Sequence, residues 1–128
     1  MASRGVLVAG AAEILLGIFA LIGGVVHLLF GIGGLVTFSG TDVMLGAIAS
    51  ALGNLFTIEG LILLIAGAGL VTTKKWAWKL SVGIILVGIL TSVPVLALGS
   101  VGAIPALAVN VVLLYYLSRS SVKGQFAV

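Results

Sequence analysis

Small and polar residues recur along the first half of the chain in alternating steps of three and four, within otherwise apolar stretches. Over residues 5–36 the series is Gly10, Glu13, Gly17, Ala20, Gly24, His27, Gly31 and Gly34. Over residues 42–71 it is Gly46, Ser50, Gly53, Thr57, Gly60, Leu64 and Gly67, with one large member. A 3.5-residue period predicts two helices that cross with a left-handed twist. Small residues on one stripe let helix backbones approach closely, so we expect an antiparallel hairpin packed along eight of these glycines: Gly10, Gly17, Gly24, Gly31, Gly46, Gly53, Gly60 and Gly67.

Two shorter helices are predicted in the second half, over residues 77–98 and 104–118. Pro94 should bend or end the third helix, and Pro105 suits the first turn of the fourth. Polar turns are expected at residues 39–42, where Thr41 or Asp42 can cap the next helix, and at residues 99–102. The tail 119–128 reads as polar and basic. The expected fold is an all-α, four-helix transmembrane-type bundle forming one domain over residues 1–128.

Composition changes the environment in which this bundle must be placed. Apolar residues make up 62% of the chain and charged residues only 7%, whereas soluble domains carry about 25% charged residues. Residues 80–118 contain no charged side chain, which is enough for two short spans at about 20 residues each. The two long helices, at about 45 Å, exceed the roughly 30 Å hydrocarbon core and must tilt or project. Glu13 interrupts the apolar start, so we expect no cleaved signal peptide.

The positive charges predict an orientation. They are Arg4, Lys74, Lys75, Lys79, Arg119 and Lys123. Four spans place all of them on one side, and basic residues accumulate on the cytoplasmic side, so both termini should be cytoplasmic. Interfacial aromatics are expected at the same boundary, namely Trp76, Trp78, Tyr115 and Tyr116. This basic face could contact anionic lipid headgroups or a nucleic-acid backbone, or could simply set topology.

Few polar side chains are expected inside the bundle. They are Glu13, His27, Asn54, Glu59 and Asn110. An ionisable residue within a membrane is a functional candidate by default, and a proton relay through Glu13, Glu59 and His27 can be drawn. The alternative, which we favour from the sequence, is that each is neutral or hydrogen-bonded and fixes the helix register.

Catalysis and cofactor binding are not expected. The chain has no cysteine and one histidine, which cannot build a typical metal site without other spaced ligands. The glycine-rich stretches follow no strand, so they match neither a P-loop nor a dinucleotide fingerprint. We therefore expect no enzyme activity, no metal and no cofactor.

Two resemblances point to different classes of protein. The stretch LLIAGAGLVTTKKWAW and the ending LYYLSRSSVKGQF resemble small uncharacterised four-helix membrane proteins of prokaryotes, which implies no activity. In type, as a short, very apolar helical chain without catalytic residues, the protein is similar to coat proteins of archaeal spindle-shaped and tailed spindle viruses. That resemblance implies insertion in the host membrane before assembly around DNA.

Two further families match at single positions. Glu13 stands where small multidrug transporters carry a glutamate early in their first helix, but their aromatic and glycine motifs are missing. Glu59 is similar to the mid-helix carboxylate of rotor-ring subunits, whose first helix has closer glycine steps.

The sequence thus leads to two hypotheses. The first is a structural, self-assembling membrane protein, in particular a virion coat subunit, with itself, lipid and DNA as partners and the basic face toward DNA. The alternative is a small proton-coupled transporter or channel that uses Glu59 or Glu13.

Overall fold

All the described secondary structure is helical, as the sequence predicts. The computed structural model describes residues 1–37, 40–97, 99, 101 and 103–128, with side chains omitted for residues 30–37, 40–42 and 45. The elements are α1 (Arg4–Thr37), α2 (Gly40–Val71), α3 (Lys75–Ala97), α4 (Ala103–Leu117), α5 (Ser120–Lys123) and a 3₁₀ turn (Gly124–Phe126). The expected turn residue Ser39 and the expected cap side chains at Thr41 and Asp42 lie outside what is described.

Three of these helices are long and apolar enough to cross a membrane, over Arg4–Leu29, Gly46–Val71 and Lys75–Ala97. The fourth helix, Ala103–Leu117, reaches that length only together with Ser120–Phe126, from which it is bent by 72°. Less than 40% of each long span is buried within the chain, so most of its apolar side chains face outward. This surface fits membrane association, while a count of four spans stays a prediction.

The hairpin of α1 and α2 is built on paired glycines. Gly10 opposes Gly67, Gly17 opposes Gly60, and Gly24 opposes Gly53. In each pair, a Cβ atom added to either glycine would lie 2.7–2.9 Å from the other's carbonyl oxygen. The pairs repeat every seven residues along both helices, so the backbones touch along the stripe that the sequence marks. Gly46 is also buried, whereas the surroundings of Gly31 lie outside the described part.

The link between α2 and α3 is shorter than the sequence indicates. The sequence predicts that the third helix starts at residue 77, but α3 already begins at Lys75. Thr73 takes a left-handed conformation with φ 52°, and its amide and that of Lys74 donate to the carbonyls of Leu70 and Gly69. This closes the end of α2 in three residues, so the two tryptophans that follow are helical.

Pro94 does not end α3, which continues to Ala97. A proline removes one backbone donor and usually kinks or breaks a helix interior, but here only three residues follow it before the helix stops. The chain then turns at Gly99, whose φ of +85° suits a residue without a Cβ. Pro105 lies in the first turn of α4, as predicted.

The tail is not a free polar extension. Residues 120–126 fold into α5 and the 3₁₀ turn, and Val122 and Phe126 are buried. They join a core with residues of the four longer helices, including Val6, Leu70, Ile85 and Leu117. The amide of Ser3 donates to Oε1 of Gln125 at 3.1 Å, so both chain ends are tied together. The sequence does not predict this, because Val122 stands among polar residues and Phe126 begins an apolar stretch of only three residues at the end of the tail.

Candidate functional site

The basic side chains gather at one end of the molecule. Arg4 begins α1, Lys74 links α2 to α3, Lys75 and Lys79 lie in the first two turns of α3, and Arg119 and Lys123 belong to the tail. Five of the six are exposed, and Lys123 is partly buried with its Nζ 5.7 Å from the ring of Trp78. The indole Nε1 of Trp78 donates to the carbonyl of Leu117 at 3.0 Å. We call this end, with its six basic side chains, the basic cap. Most of its charged groups are exposed, and Trp78 lies beneath Lys123.

The five polar side chains expected in the interior differ in how deeply they are buried. Glu13, Glu59 and Asn110 are buried, and His27 is partly buried. Asn54 is instead exposed, which corrects the expectation. At 3.6 residues per turn, five residues rotate the helix by about 140°. When Glu59 faces the interior, Asn54 must therefore face outward.

Glu13 is enclosed between α1 and α3. It is 0% exposed, and its Oε2 accepts a hydrogen bond of 2.9 Å from the hydroxyl of Ser81. Its Oε1 has no partner among the described residues. Ser81 lies on the buried stripe of α3, with Ala77, Ile84, Ile85 and Gly88. The sequence gives little reason to single out Ser81, because one uncharged hydroxyl does not stand out in an apolar helix.

Glu59 and Asn110 converge on a glycine of α3. A Cβ atom at Gly88 would lie 2.8 Å from Oε1 of Glu59 and 2.9 Å from Nδ2 of Asn110. The bare backbone of α3 thus makes the space in which a carboxyl group from α2 and an amide from α4 face each other. Oδ1 of Asn110 has no hydrogen-bond partner in the described part of the chain, although Asn110 is only 6% exposed.

These two groups line a cavity of about 300 Å³ that is shared by four helices. α1 contributes Phe19 and His27, α2 contributes Phe56, and α3 contributes the hydroxyls of Thr91 and Ser92. Both hydroxyls donate to the carbonyl of Gly88, at 3.1 and 2.7 Å, and keep lone pairs free to accept. The cavity is therefore an apolar chamber with a few polar groups on one side.

His27 stands at one end of this chamber. Its Nδ1 lies 2.8 Å from the carbonyl oxygen of Gly23, and its ring meets Phe56 edge-on at 5.6 Å between centroids. A carbonyl oxygen can only accept, so Nδ1 carries the hydrogen. In the neutral ring this leaves Nε2 as an acceptor.

The three ionisable interior groups are not joined into a relay by direct hydrogen bonds. Glu59 adjoins Gly60, which opposes Gly17, so Glu59 lies between Glu13 and His27 along the axis of the antiparallel hairpin. At 1.5 Å per residue, Gly17 is about 6 Å along the helix from Glu13 and about 15 Å from His27. In the described region, no side-chain hydrogen bond links Glu59 to either. The structure separates an enclosed carboxyl, Glu13, from one that lines a cavity, Glu59.

A second groove runs between α1 and α4, with a volume of about 510 Å³. Its walls come from residues such as Val8, Ala12, Ala108 and Val112, and they offer no charged side chain. Across residues 1–37, 40–97, 99, 101 and 103–128, no three acidic or histidine side chains are placed to hold a metal ion. Of these two cavities, the first is the one lined by a carboxyl group and an amide, those of Glu59 and Asn110.

Comparison of this chain with protein-family models, with curated proteins and with solved structures finds no match.

Proposed function

We propose that this chain is a four-helix integral membrane protein that binds a small solute in its interior cavity and exchanges it for a proton at Glu59. The observation that carries the proposal is the cavity shared by α1, α2, α3 and α4, whose wall includes the carboxyl of Glu59 and the amide of Asn110, both packed against Gly88. Apolar chambers with a few convergent polar groups are the usual form of small-molecule sites.

The helices support placement of this cavity inside a membrane. Three of them have the length and apolarity of spans, and their outward faces are covered with large apolar residues such as Leu15, Ile22 and Leu90. The basic cap lies at the opposite end of α1 from the turn to α2, which puts both termini on the cytoplasmic side in our proposal. In this orientation Glu59 lies between the two surfaces of the membrane.

Glu59 suits proton exchange better than Glu13. Ionisable side chains inside a membrane are rare and mark pathways for protons or ions. Glu59 lines the cavity, where a solute can reach it. Glu13 is fully buried and bonded to Ser81, so we assign it the structural role of joining α1 to α3.

The test is a solute-driven proton flux. The full chain is reconstituted in liposomes that contain a pH-sensitive dye, and gradients of amines, monocarboxylates, sugars and Na⁺ are imposed one at a time. At least one solute should move protons through the wild-type protein. Glu59→Gln should abolish that flux, because an amide cannot take up and release the proton.

Glu13→Gln is the matched control, since it removes a carboxyl outside the cavity and should retain most of the flux. His27 is the other titratable side chain that lines the cavity, so His27→Gln measures how much of the proton flux depends on it. The proposal is wrong if no solute in the panel moves protons, or if Glu59→Gln and wild type behave alike.

A second candidate, a self-assembling coat subunit, is favoured by a different observation. The six basic side chains share one end, and the outer helix faces are apolar over most of their length. Subunits packed side by side would turn this end into a dense positive field, which binds phosphates without sequence preference. In that case the basic end should face enclosed DNA.

The coat candidate has its own test. Replacing Lys74, Lys75 and Lys79 with Gln should leave membrane insertion intact, because Arg4 and Arg119 remain, but should reduce the DNA in purified native particles. Absence of nucleic acid from native assemblies, or basic ends that point outward, would exclude this candidate.

A further inference from the structure

We infer that the cavity selects a small organic monocation, a protonated amine attached to an apolar body, with Glu59 as its counter-ion. This inference rests on the proposed function, since it names the class of solute that the same cavity would take. It follows from the charge of the lining, its apolar walls and the unpartnered amide.

The charge of the lining favours a cation. The cavity contains one carboxyl group, Glu59, and none of the Lys or Arg side chains of the chain, all of which lie at the basic end. His27 is the remaining titratable group on the wall, and Glu13 is outside it. An anionic solute would meet Glu59 without a fixed positive partner, whereas a single ammonium group would pair with it.

The walls favour an organic rather than an inorganic cation. At about 300 Å³, the cavity is far larger than one bare ion, and water occupies roughly 30 Å³ per molecule. Most of the lining is apolar and includes Leu16, Leu63 and the aromatic side chains of Phe19 and Phe56. An apolar body would contact these side chains, and aromatic faces attract ammonium groups.

The amide of Asn110 supplies direction. Among the described residues its Oδ1 has no hydrogen-bond partner, and its Nδ2 is the amide atom nearest to Gly88, beside Oε1 of Glu59. A buried acceptor without a hydrogen bond is unfavourable. Turning the amide over exchanges the places of Nδ2 and Oδ1, so that one ammonium N–H can donate to Oδ1 while a second donates to Glu59. A neutral hydrocarbon would leave both groups unpaired. A primary ammonium therefore fits this corner better than a quaternary one, which has no N–H to donate.

The experiment is equilibrium dialysis of radiolabelled phenethylammonium against the full chain in lipid nanodiscs, with empty nanodiscs as the blank. Three competitors separate the classes: phenethyl alcohol has nearly the same shape without charge, phenylpropionate is anionic, and Na⁺ is inorganic. We expect saturable binding that unlabelled phenethylammonium displaces. The alcohol should compete at least about tenfold more weakly, and the anion and Na⁺ should not compete.

Variants locate the site. Glu59→Gln and Asn110→Leu should each weaken binding by about tenfold or more, whereas Glu13→Gln should bind as wild type does. Equal competition by the alcohol, effective competition by Na⁺, or unchanged affinity in Glu59→Gln would overturn the inference. The alcohol comparison uses wild-type protein, so it decides the matter even if a variant misfolds.

The outcome is separable from that of the proposed function. A Glu59-dependent proton flux with another solute, without ammonium binding, would reject the cation and keep the exchange. Glu59-dependent ammonium binding without proton flux would keep the site and reject the exchange.

Discussion

The glycines at the α1–α2 crossing allow the two backbones to approach closely because they have no side chain. The three pairs bring each glycine's Cα so near the opposing carbonyl that a Cβ would lie within 2.9 Å of it. The obstacle is backbone, which cannot rotate aside as a side chain can. Neighbouring Gly23 has open space around its Cβ position, so the seam is narrow, and residue position rather than residue type decides whether a methyl group is tolerated.

The adjacent pair Gly23 and Gly24 tests this directly. Gly24→Ala should destabilise the chain by about 1–3 kcal/mol, because the added methyl group forces the helices apart. Gly23→Ala should be neutral or slightly stabilising, since alanine favours helix by up to about 1 kcal/mol. The measurement is the midpoint of unfolding as denaturing detergent replaces mild detergent. Equal midpoints for the two variants would show that the close approach does not support the fold.

Single residues also show what a pattern along the sequence cannot reveal, namely the partners of a side chain. Glu13 and Glu59 look alike in the sequence, as lone carboxyls in apolar helices. Their partners separate them, since Ser81 meets one and Gly88 and Asn110 meet the other. Neither Ser81 nor Gly88 stands out as a functional residue from its own neighbours in the chain, because its importance depends on what faces it.

At the scale of elements, the C-terminal segment is the least expected part of the fold. α5 and the 3₁₀ turn place Phe126 against residues of the four longer helices, near the ends of those helices at the basic cap. Phe126 is only 2% exposed there. Chain ends are usually poorly ordered unless they are tied down. Here the tie is intramolecular, through the apolar core and the Ser3 to Gln125 hydrogen bond. Order at the termini thus needs no neighbouring subunit.

Phe126→Ala should therefore destabilise the whole fold, although it changes the third residue from the end. Removing a buried phenylalanine side chain in a core typically costs about 3–5 kcal/mol. Val128→Ala is the control, since Val128 is exposed and should tolerate the change. The readout is resistance of the tail to carboxypeptidase together with the unfolding midpoint. A tail that is trimmed equally in wild type and Phe126→Ala would contradict this docking.

At the scale of the whole molecule, the main question is which surfaces lie on which side of a membrane. Both termini and the α2–α3 link share one end of the fold, and the turn containing Gly99 and Val101 joins α3 to α4 at the other. The chain contains no cysteine, so single cysteines give an unambiguous accessibility map.

We expect Ala2→Cys, Lys75→Cys and Val128→Cys to react with an impermeant thiol reagent from one side of sealed vesicles. Val101→Cys should react only from the other side, because one span, α3, separates Val101 from the α2–α3 link and three spans separate it from the N-terminus. Reaction of Val101→Cys and Lys75→Cys from the same side would rule out the four-span arrangement.

The sequence by itself determined the helical class, the pairing stripe of the first two helices and the clustering of positive charge. Each of these follows from the spacing or the composition of residues within one segment. In a helix, the spacing alone determines which residues lie on one face, whatever the rest of the chain does. Helix ends were predicted to within a few residues for the same reason.

Only the tertiary structure decided the site. The cavity exists because α3 and α4 approach α1 and α2 in one particular register, which brings Gly88 opposite Glu59 and Asn110. That register also encloses Glu13 and docks Phe126. The buried stripe of α3 mixes small, polar and large apolar residues, so the sequence does not mark it as the series of glycines marks α1 and α2. It consists of Ala77, Ser81, Ile84, Ile85 and Gly88. Such sparse contacts between segments distant in sequence arise only when several helices pack together, which is why composition and spacing could not predict them.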